Sequence, residues 1–266
     1  MGSEEERSGL PAEVRQARIS DLVTQSGFVR VSELSRRFGV STVTLRGDLD
    51  QLERRGELRR VHGGAMSVGR QRVERSFEEA AGDLAGEKAG IGAAAAALVS
   101  SGEAVIVDVG TTTTALARAL VDRRDLVDLT VITSGLTIAL ELEHAGPRVS
   151  VILTGGTLRP KQHSLVNPLA VPFLDRLSAN TVFLGCNGVD LAHGVTNINL
   201  PEAEVKRAMV AAARRRVVLA DGSKVGEHAL ARVCDVDQVD VLVTDRSADP
   251  GILEELRSAG VDVVIA

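Results

Sequence analysis

The sequence predicts an α/β protein in two parts: a small N-terminal helix-turn-helix with a β wing, and a larger domain built on a mostly parallel sheet. Three observations carry this. Two short helical patterns before residue 55 are separated by a tight Gly39-Val40-Ser41 turn. From Glu87 onward, short apolar runs alternate with helical patterns, as in sheets buried under helices. The charge is also divided along the chain. The net charge is −5, yet residues 11–75 hold 13 arginines against 8 carboxylates, while residues 76–266 hold 17 basic against 25 acidic groups. A basic head on an acidic body suits a local contact with a polyanion.

Taken in order, residues 1–11 read as a tail, residues 12–67 as the winged helix-turn-helix, residues 68–86 as a linker and residues 87–266 as the second domain. Pro11 suits a first helical turn, and Val14, Ile19, Leu22 and Val23 recur at helical spacing up to Gly27. Phe28 to Val31 is short and β-prone. Ser32 is placed to cap a second helix carrying Leu34 and Phe38, which Gly39 ends. Ser41 caps a third, with Leu45, Leu49 and Leu52 on one face, closed by Gly56. In a helix-turn-helix, spanning about residues 29–48 here, the second helix leads into the major groove with its N-terminal residues. Those are Ser41, Thr42, Thr44 and Arg46, all off the leucine face. Leu58 and Val61 bracket Arg59 and Arg60, and Gly63-Gly64 permit a turn. Arg59, Arg60 and His62 thus sit on a wing aimed at the phosphate backbone. The same pattern also describes a small helical domain with solvated arginines.

In the second part, helices are expected at 91–98, 112–121, 136–142 and 202–214. Strands are expected at 104–107, 129–132, 149–153, 181–184, 217–219, 239–243 and 261–265. Ligands of open α/β sheets bind beyond the strand C-termini, so the residues there are the candidate site. Asp108, Gly110, Thr111, Thr112 and Thr113 follow the first strand and open a helix, a ready place for an anion. It is neither a Walker loop nor a G-x-G-x-x-G turn. Ser134, then Asn187, Gly188 and Asp190, then Asp221 and Lys224 follow later strands, and Lys206 lies near the start of a helix. The lysines suit a phosphate; Asn187, Asp190 and Asp221 suit sugar hydroxyls. Threonine-rich helix starts are also ordinary caps, Lys206 also reads as a surface lysine, and Asp190 and Asp221 as turn formers. His163 and Ser164, after Gly155-Gly156, read equally as a lid or a plain loop. His144 and His193 read as exposed turn residues, and no His/Asp/Glu pair has metal-ligand spacing.

Composition narrows the function classes. Aromatic residues make up 2%, with no Trp or Tyr, so the cores are aliphatic and a base-stacking single-strand site is disfavoured. Cys186 and Cys234 read as buried thiols of a reducing compartment. Residues 1–10 lack an apolar signal core and the run Ala93–Val99 is far short of a membrane span, so a cytoplasmic protein with no membrane partner is expected.

The stretch from Val31 to Ala65, with V-S-x-x-T-L-R-x-D-L and a wing closing on H-G-G-A, closely resembles the DeoR-type helix-turn-helix. D-V-G-T-T-T, G-x-N-G-V-D, E-A-E-V-K and D-G-S-K-V-G resemble the C-terminal sensor domain of the same family, whose fold is similar to ribose-5-phosphate isomerases. The resemblance implies double-stranded operator DNA as partner, a phosphorylated sugar or related metabolite as effector, a homo-oligomer, and repression of a sugar-catabolic operon. It implies no cofactor. The sequence departs from the family at Gly47, where a second arginine is usual. The rival reading is a sugar-phosphate isomerase carrying a DNA-binding domain. An isomerase needs a carboxylate base, and Asn187 stands where the isomerase-like pattern has its first acid. No Gly-rich lysine segment follows at Val195–Pro201.

Overall fold

The structure, a computed structural model, describes residues 11–26, 28–61, 64–67 and 74–266. It divides into two compact units, Met1–Arg72 and Val73–Ala266. The first contains α1 (Ala12–Ser26), β1 (Phe28–Arg30), α2 (Val31–Phe38), α3 (Thr42–Arg54), β2 (Leu58–Val61) and β3 (Gly64–Ser67). β3 lies between β1 and β2 and pairs antiparallel with both. Ile19, Leu34, Leu45, Leu49, Leu52 and Leu58 are wholly buried and form the core under the three helices. The turn between α2 and α3 is closed by Gly39 in the left-handed conformation and by Ser35 Oγ donating to Val40 O at 2.7 Å.

Ser41 caps α3 as expected, accepting from Thr44 N at 3.1 Å. Ser32 does not cap α2. The helix begins one residue earlier, at Val31, with Arg30 in the cap position and no side-chain hydrogen bond there. The reason is that β1 stays paired to β3 through Arg30 and runs directly into the helix.

An ion pair that the spacing did not announce locks α1 to α3. Asp48 is buried and accepts from Arg15 Nε at 2.7 Å, Arg15 Nη2 at 3.1 Å and Gln16 Nε2 at 2.9 Å. The hydrogen bond to Asp48 holds the Arg15 guanidinium above its already high pKa, against the cost of burial.

The second unit runs α4 (Phe77–Ala81), α5 (Ala85–Ala96), β4 (Ala104–Val107), α6 (Thr111–Asp122), β5 (Leu129–Thr133), α7 (Leu136–Glu143) and β6 (Val149–Leu153). It continues with β7 (Thr157–Arg159), β8 (Ser164–Val166), α8 (Ala170–Leu174), β9 (Ala179–Gly185), β10 (Gly188–Asp190), β11 (Gly194–Asn197) and α9 (Leu200–Ala211). It ends with β12 (Ala213–Leu219), β13 (Ala231–Cys234), β14 (Val241–Thr244), α10 (Pro250–Ser258) and β15 (Asp262–Ile265).

Seven parallel strands form the main sheet in the order β15-β14-β12-β9-β4-β5-β6. The chain starts at β4, moves outward through β5 and β6, then returns to the other side of β4 with β9 and moves out the opposite way. The strand order therefore reverses between β4 and β9, which is where such sheets open a crevice at the strand C-termini. Successive residues feed opposite faces. Val105, Val107, Phe183, Val217 and Leu219 pack with Ile91 of α5 and Leu116 of α6. Ile106, Val182, Leu184 and Val218 pack with Met209 of α9 and Leu253 of α10. Burial on both faces explains why these strands read as apolar runs without alternation.

Two expectations are corrected. Residues 74–86 are part of this unit and not linker. Ser76 and Glu79 form a capping box on α4. Phe77 N donates to Lys161 O at 2.8 Å, Gln162 Nε2 donates to Arg75 O at 2.6 Å, and α5 already begins at Ala85. A helix of five residues is too short to show a period. The helix expected over 202–214 ends at Ala211, because Ala213 to Arg216 join the ladder with β9.

Candidate functional site

In the head, Thr42, Thr44 and Arg46 are exposed along the start of α3. Ser41 is exposed too, but its hydroxyl is committed to capping and lies 2.9 Å from Thr44 Oγ1. Val43, which the sequence reading passed over, is 73% exposed on the same first turn. An aliphatic side chain held out at the leading end of a groove helix is suited to a thymine methyl. It was missed because apolar residues were assigned to the core by default. Arg60 pairs with Asp50, and its backbone N donates to Glu53 Oε1 at 2.8 Å, which ties the wing strand to α3. The Arg59 side chain and all of His62 lie outside the described residues.

In the body, the reversal between β4 and β9 gathers part of the predicted set. Asp108 follows β4 and is 1% exposed. Its carboxylate accepts from Gly185 N at 2.9 Å and from Lys206 Nζ, and Lys206 also donates to Gly185 O at 2.8 Å. Burial lowers the Lys206 pKa, but Asp108 and Glu202 outweigh it and hold the value above that of an ordinary lysine. Lys206 is therefore a buried, paired ammonium that clasps the ends of β4 and β9, and the surface-lysine reading does not hold.

Gly110 has φ +132°, a conformation that favours glycine, and precedes α6 without any side-chain cap. Thr113 Oγ1 and Thr114 Oγ1 both turn back to donate to Gly110 O, at 2.9 and 2.7 Å. Thr112 is 3% exposed and its Oγ1 has no partner. The first turn of α6 thus combines an uncapped helix start with an unsatisfied hydroxyl, while Thr111 is half-buried beside it.

The remaining candidates separate into neighbouring groups. Asp221 is 2% exposed and pairs with Lys224 at 3.1 Å. Burial would raise its pKa, but Lys224 and the Ser223 hydroxyl keep it below the usual carboxylate range. Lys88 of α5, not singled out from the sequence, is buried there and donates to Ala80 O at 2.7 Å. Burial, reinforced by Lys224, lowers its pKa. Ser134 is buried, and its carbonyl accepts from Leu165 N at 2.7 Å.

Asn187 and Gly188 are taken up within the β10–β11 hairpin. Asn187 Oδ1 accepts from Ile198 N at 2.9 Å, and Gly188 O accepts from Thr196 Oγ1 at 3.1 Å. Asp190 bonds His193, with Nδ1 to Oδ2 at 2.8 Å, and faces His228 Nδ1 at 3.7 Å. His193 is an exposed turn residue as expected, and the topology brings His228 back beside it from a later loop.

The segment around His163 and Ser164 is a hairpin, β7–β8, strapped down on three sides. Leu136 N donates to His163 O at 2.9 Å, Thr137 Oγ1 lies 3.0 Å from His163 Nδ1, and Ser164 Oγ donates to Glu202 at 2.6 Å. Arg159 on this hairpin bridges Glu202 and Glu74, the latter at 2.7 Å. A lone arginine in a polar stretch carries no such signal in the sequence.

The chain matches the DeoR-like helix-turn-helix domain over residues 15–71 and the DeoR C terminal sensor domain over residues 84–246. It is 38% identical over 258 residues to the HTH-type transcriptional regulator GlpR of Haloferax volcanii, covering 96% of this chain and 98% of that one. It is 35% identical over 253 residues to the putative aga operon transcriptional repressor of Escherichia coli O157:H7, covering 94% and 93%. Among solved structures, ribose 5-phosphate isomerase A of Methanocaldococcus jannaschii aligns over 52% of this chain and 53% of that one, at 17% identity and a TM-score of 0.39, too distant to bear on function. Among the described residues, no helix is long and apolar enough to cross a membrane. With both halves matched in order and relatives aligned along nearly their whole length, the chain belongs to the DeoR family of helix-turn-helix transcriptional regulators.

Proposed function

We propose that this regulator represses a carbohydrate-catabolic operon and is released from its operator by a phosphorylated sugar or a related metabolite. The observation that carries the effector half is the first turn of α6: buried, uncapped, with Thr112 Oγ1 unsatisfied, at the point where the sheet order reverses. Backbone N–H groups at a helix start complement a phosphate dianion without a lysine contact. The paired Lys206 then serves as a positioning residue that keeps Asp108 and Gly185 in register with that turn, and Asp221 with Lys224 borders the cleft. Thr42, Val43, Thr44 and Arg46 read base edges, and the wing residues Arg59 and His62 meet phosphates while Arg60, paired with Asp50, braces the wing on α3. A homo-oligomer sets two such helices on operator half-sites. The relative named as a putative aga operon transcriptional repressor supports the sign of regulation.

Catalysis is disfavoured by the same geometry. Asn187 is an amide whose oxygen accepts from Ile198 N, and the Asp190 carboxylate is engaged by histidines. The first acid position of the G-x-N-G-V-D segment therefore has no carboxylate to abstract a proton.

The test is operator binding by fluorescence anisotropy at fixed salt, using DNA upstream of the protein's own gene and a panel of sugar phosphates. Effectors of this kind couple to DNA by about 1–3 kcal/mol, or roughly 5- to 150-fold in affinity. One compound weakening binding within that range, with loss of the response in Thr112→Val, is the expected result. Specific binding that no compound alters overturns the effector assignment.

A further inference from the structure

We propose that Asp190, His193 and His228 form a binding site for a divalent metal ion of the zinc class, independent of the effector cleft proposed above. One donor atom from each residue lies within 4.8 Å of the others. Asp190 Oδ2 is 2.8 Å from His193 Nδ1 and 3.7 Å from His228 Nδ1. A tetrahedral ion with bonds of about 2.0–2.1 Å separates its ligand atoms by roughly 3.3 Å, and the two spacings to Asp190 bracket that value. The donor set, two imidazoles and a carboxylate, selects zinc and its late-transition neighbours over magnesium or calcium, which take oxygen cages.

The backbone holds these residues in place before any ion arrives. Asp190 closes β10 and His193 lies in the turn to β11, whose N–H donates to Asp190 Oδ1 at 2.5 Å and so fixes the carboxylate plane. His228 sits in the loop before β13, and that loop is bonded to the hairpin on both sides of it. Gly226 N donates to Val189 O at 2.8 Å, and Ala229 N donates to Thr196 Oγ1 at 2.9 Å. The approach is close enough that a Cβ at Gly188 would come within 2.3 Å of Glu227 O. The two imidazole rings stack with centroids 4.2 Å apart and planes 18° apart, so the half-exposed rings must turn about their Cβ–Cγ bonds for both Nδ1 lone pairs to converge on one ion. Asp190 is mostly buried at 15% side-chain exposure, whereas His193 and His228 are about half exposed at 48% and 59%. An ion therefore has an open path from solvent and room for one water as the fourth ligand. Bound there, it clamps the β10–β11 hairpin to the loop preceding β13.

The experiment is zinc titration of the tag-free, chelator-stripped full chain by calorimetry, with cobalt(II) absorption as a second probe. Expected are one zinc ion per chain, a cobalt d–d spectrum of tetrahedral intensity, and a melting temperature that rises with zinc concentration. His193→Ala and His228→Ala each weaken zinc binding by more than about 100-fold, beyond the 10- to 100-fold typical of losing an outer partner. Both variants keep the far-ultraviolet spectrum of the parent, and His144→Ala binds zinc as the parent does. The absence of saturable zinc binding at tens of micromolar, or binding undiminished in the His193/His228 double variant, overturns the proposal.

Discussion

Gly47 is the position where one substitution separates helix stability from DNA contact. It lies inside α3, one turn after Val43 and Thr44 and so on the same face. A Cβ built there meets nothing within 4 Å. Gly47→Ala therefore gains the helix-propensity difference of about 1 kcal/mol with no steric offset. For a unit of this size that is a rise of roughly 4–8 °C in the melting temperature of the head, followed by calorimetry on the full chain. Gly47→Arg should recover most of the same gain and add a cation beside the groove-facing residues. Asp50, one turn further on, is already paired with Arg60, so it offers the new side chain little competition. If that cation meets a phosphate, the slope of log affinity against log salt steepens by about 0.9 per half-site, while Gly47→Ala leaves the slope unchanged. A head no more stable in Gly47→Ala refutes the propensity argument. Equal slopes in the two variants refute the placement of this face against the DNA backbone.

Other perturbations test the buried charges. Asp48→Ala leaves Arg15 buried without its carboxylate and should cost about 3–5 kcal/mol, unfolding the head in a thermal scan before the body. Lys206→Met strands Asp108 in the same way, and a loss of about 3–5 kcal/mol in urea unfolding of the body is expected, with Asp108→Asn in the Lys206→Met background restoring part of it. Asp221 and Asp245 both have pKa values below the usual carboxylate range, opposed by burial but set by Lys224 and Ser223 for the first, and by Ser247 and Gly222 N for the second. Their contribution is present above the unfolded carboxylate pKa of about 3.9 and is lost as pH falls through that value toward the folded one. Melting temperature should drop between pH 5 and 3, less steeply in Asp221→Asn. Arg159→Ala removes the cation shared by Glu74 and Glu202 and should change the effector response of operator binding while leaving the affinity of effector-free protein within a few-fold. An unaltered response denies Arg159 any part in coupling.

The elements of regular period were legible. The leucine face of α3, the Ser41 cap and every strand of the main sheet follow from spacing and from β-branched runs, because burial on one or both faces leaves a local imprint on the chain. The strap residues 74–81, the β7–β8 hairpin and the β10–β11–β13 sheet left almost none, being too short for a period and held by contacts from distant segments. The candidate site divides along the same line. Asp108 to Thr113 could be found because a strand end and a helix start adjoin in sequence. Arg159, Lys88 and His228 could not, since each acquires its partner only after a crossover. Lys206 is legible in the sequence as a cation for a phosphate or as a surface lysine, but its partners are not: only the fold reveals a carboxylate and a carbonyl at the end of its side chain. The resulting chain of charges runs from Glu74 through Arg159 to Glu202, whose helix carries Lys206 onto Asp108 and Gly185. Glu74 also lies at the start of the second unit, Val73–Ala266. Under the function proposed above, a ligand in the cleft at the ends of β4 and β9 would act on this network, and changing the partners of Arg159 tests whether ligand binding and operator release can be separated.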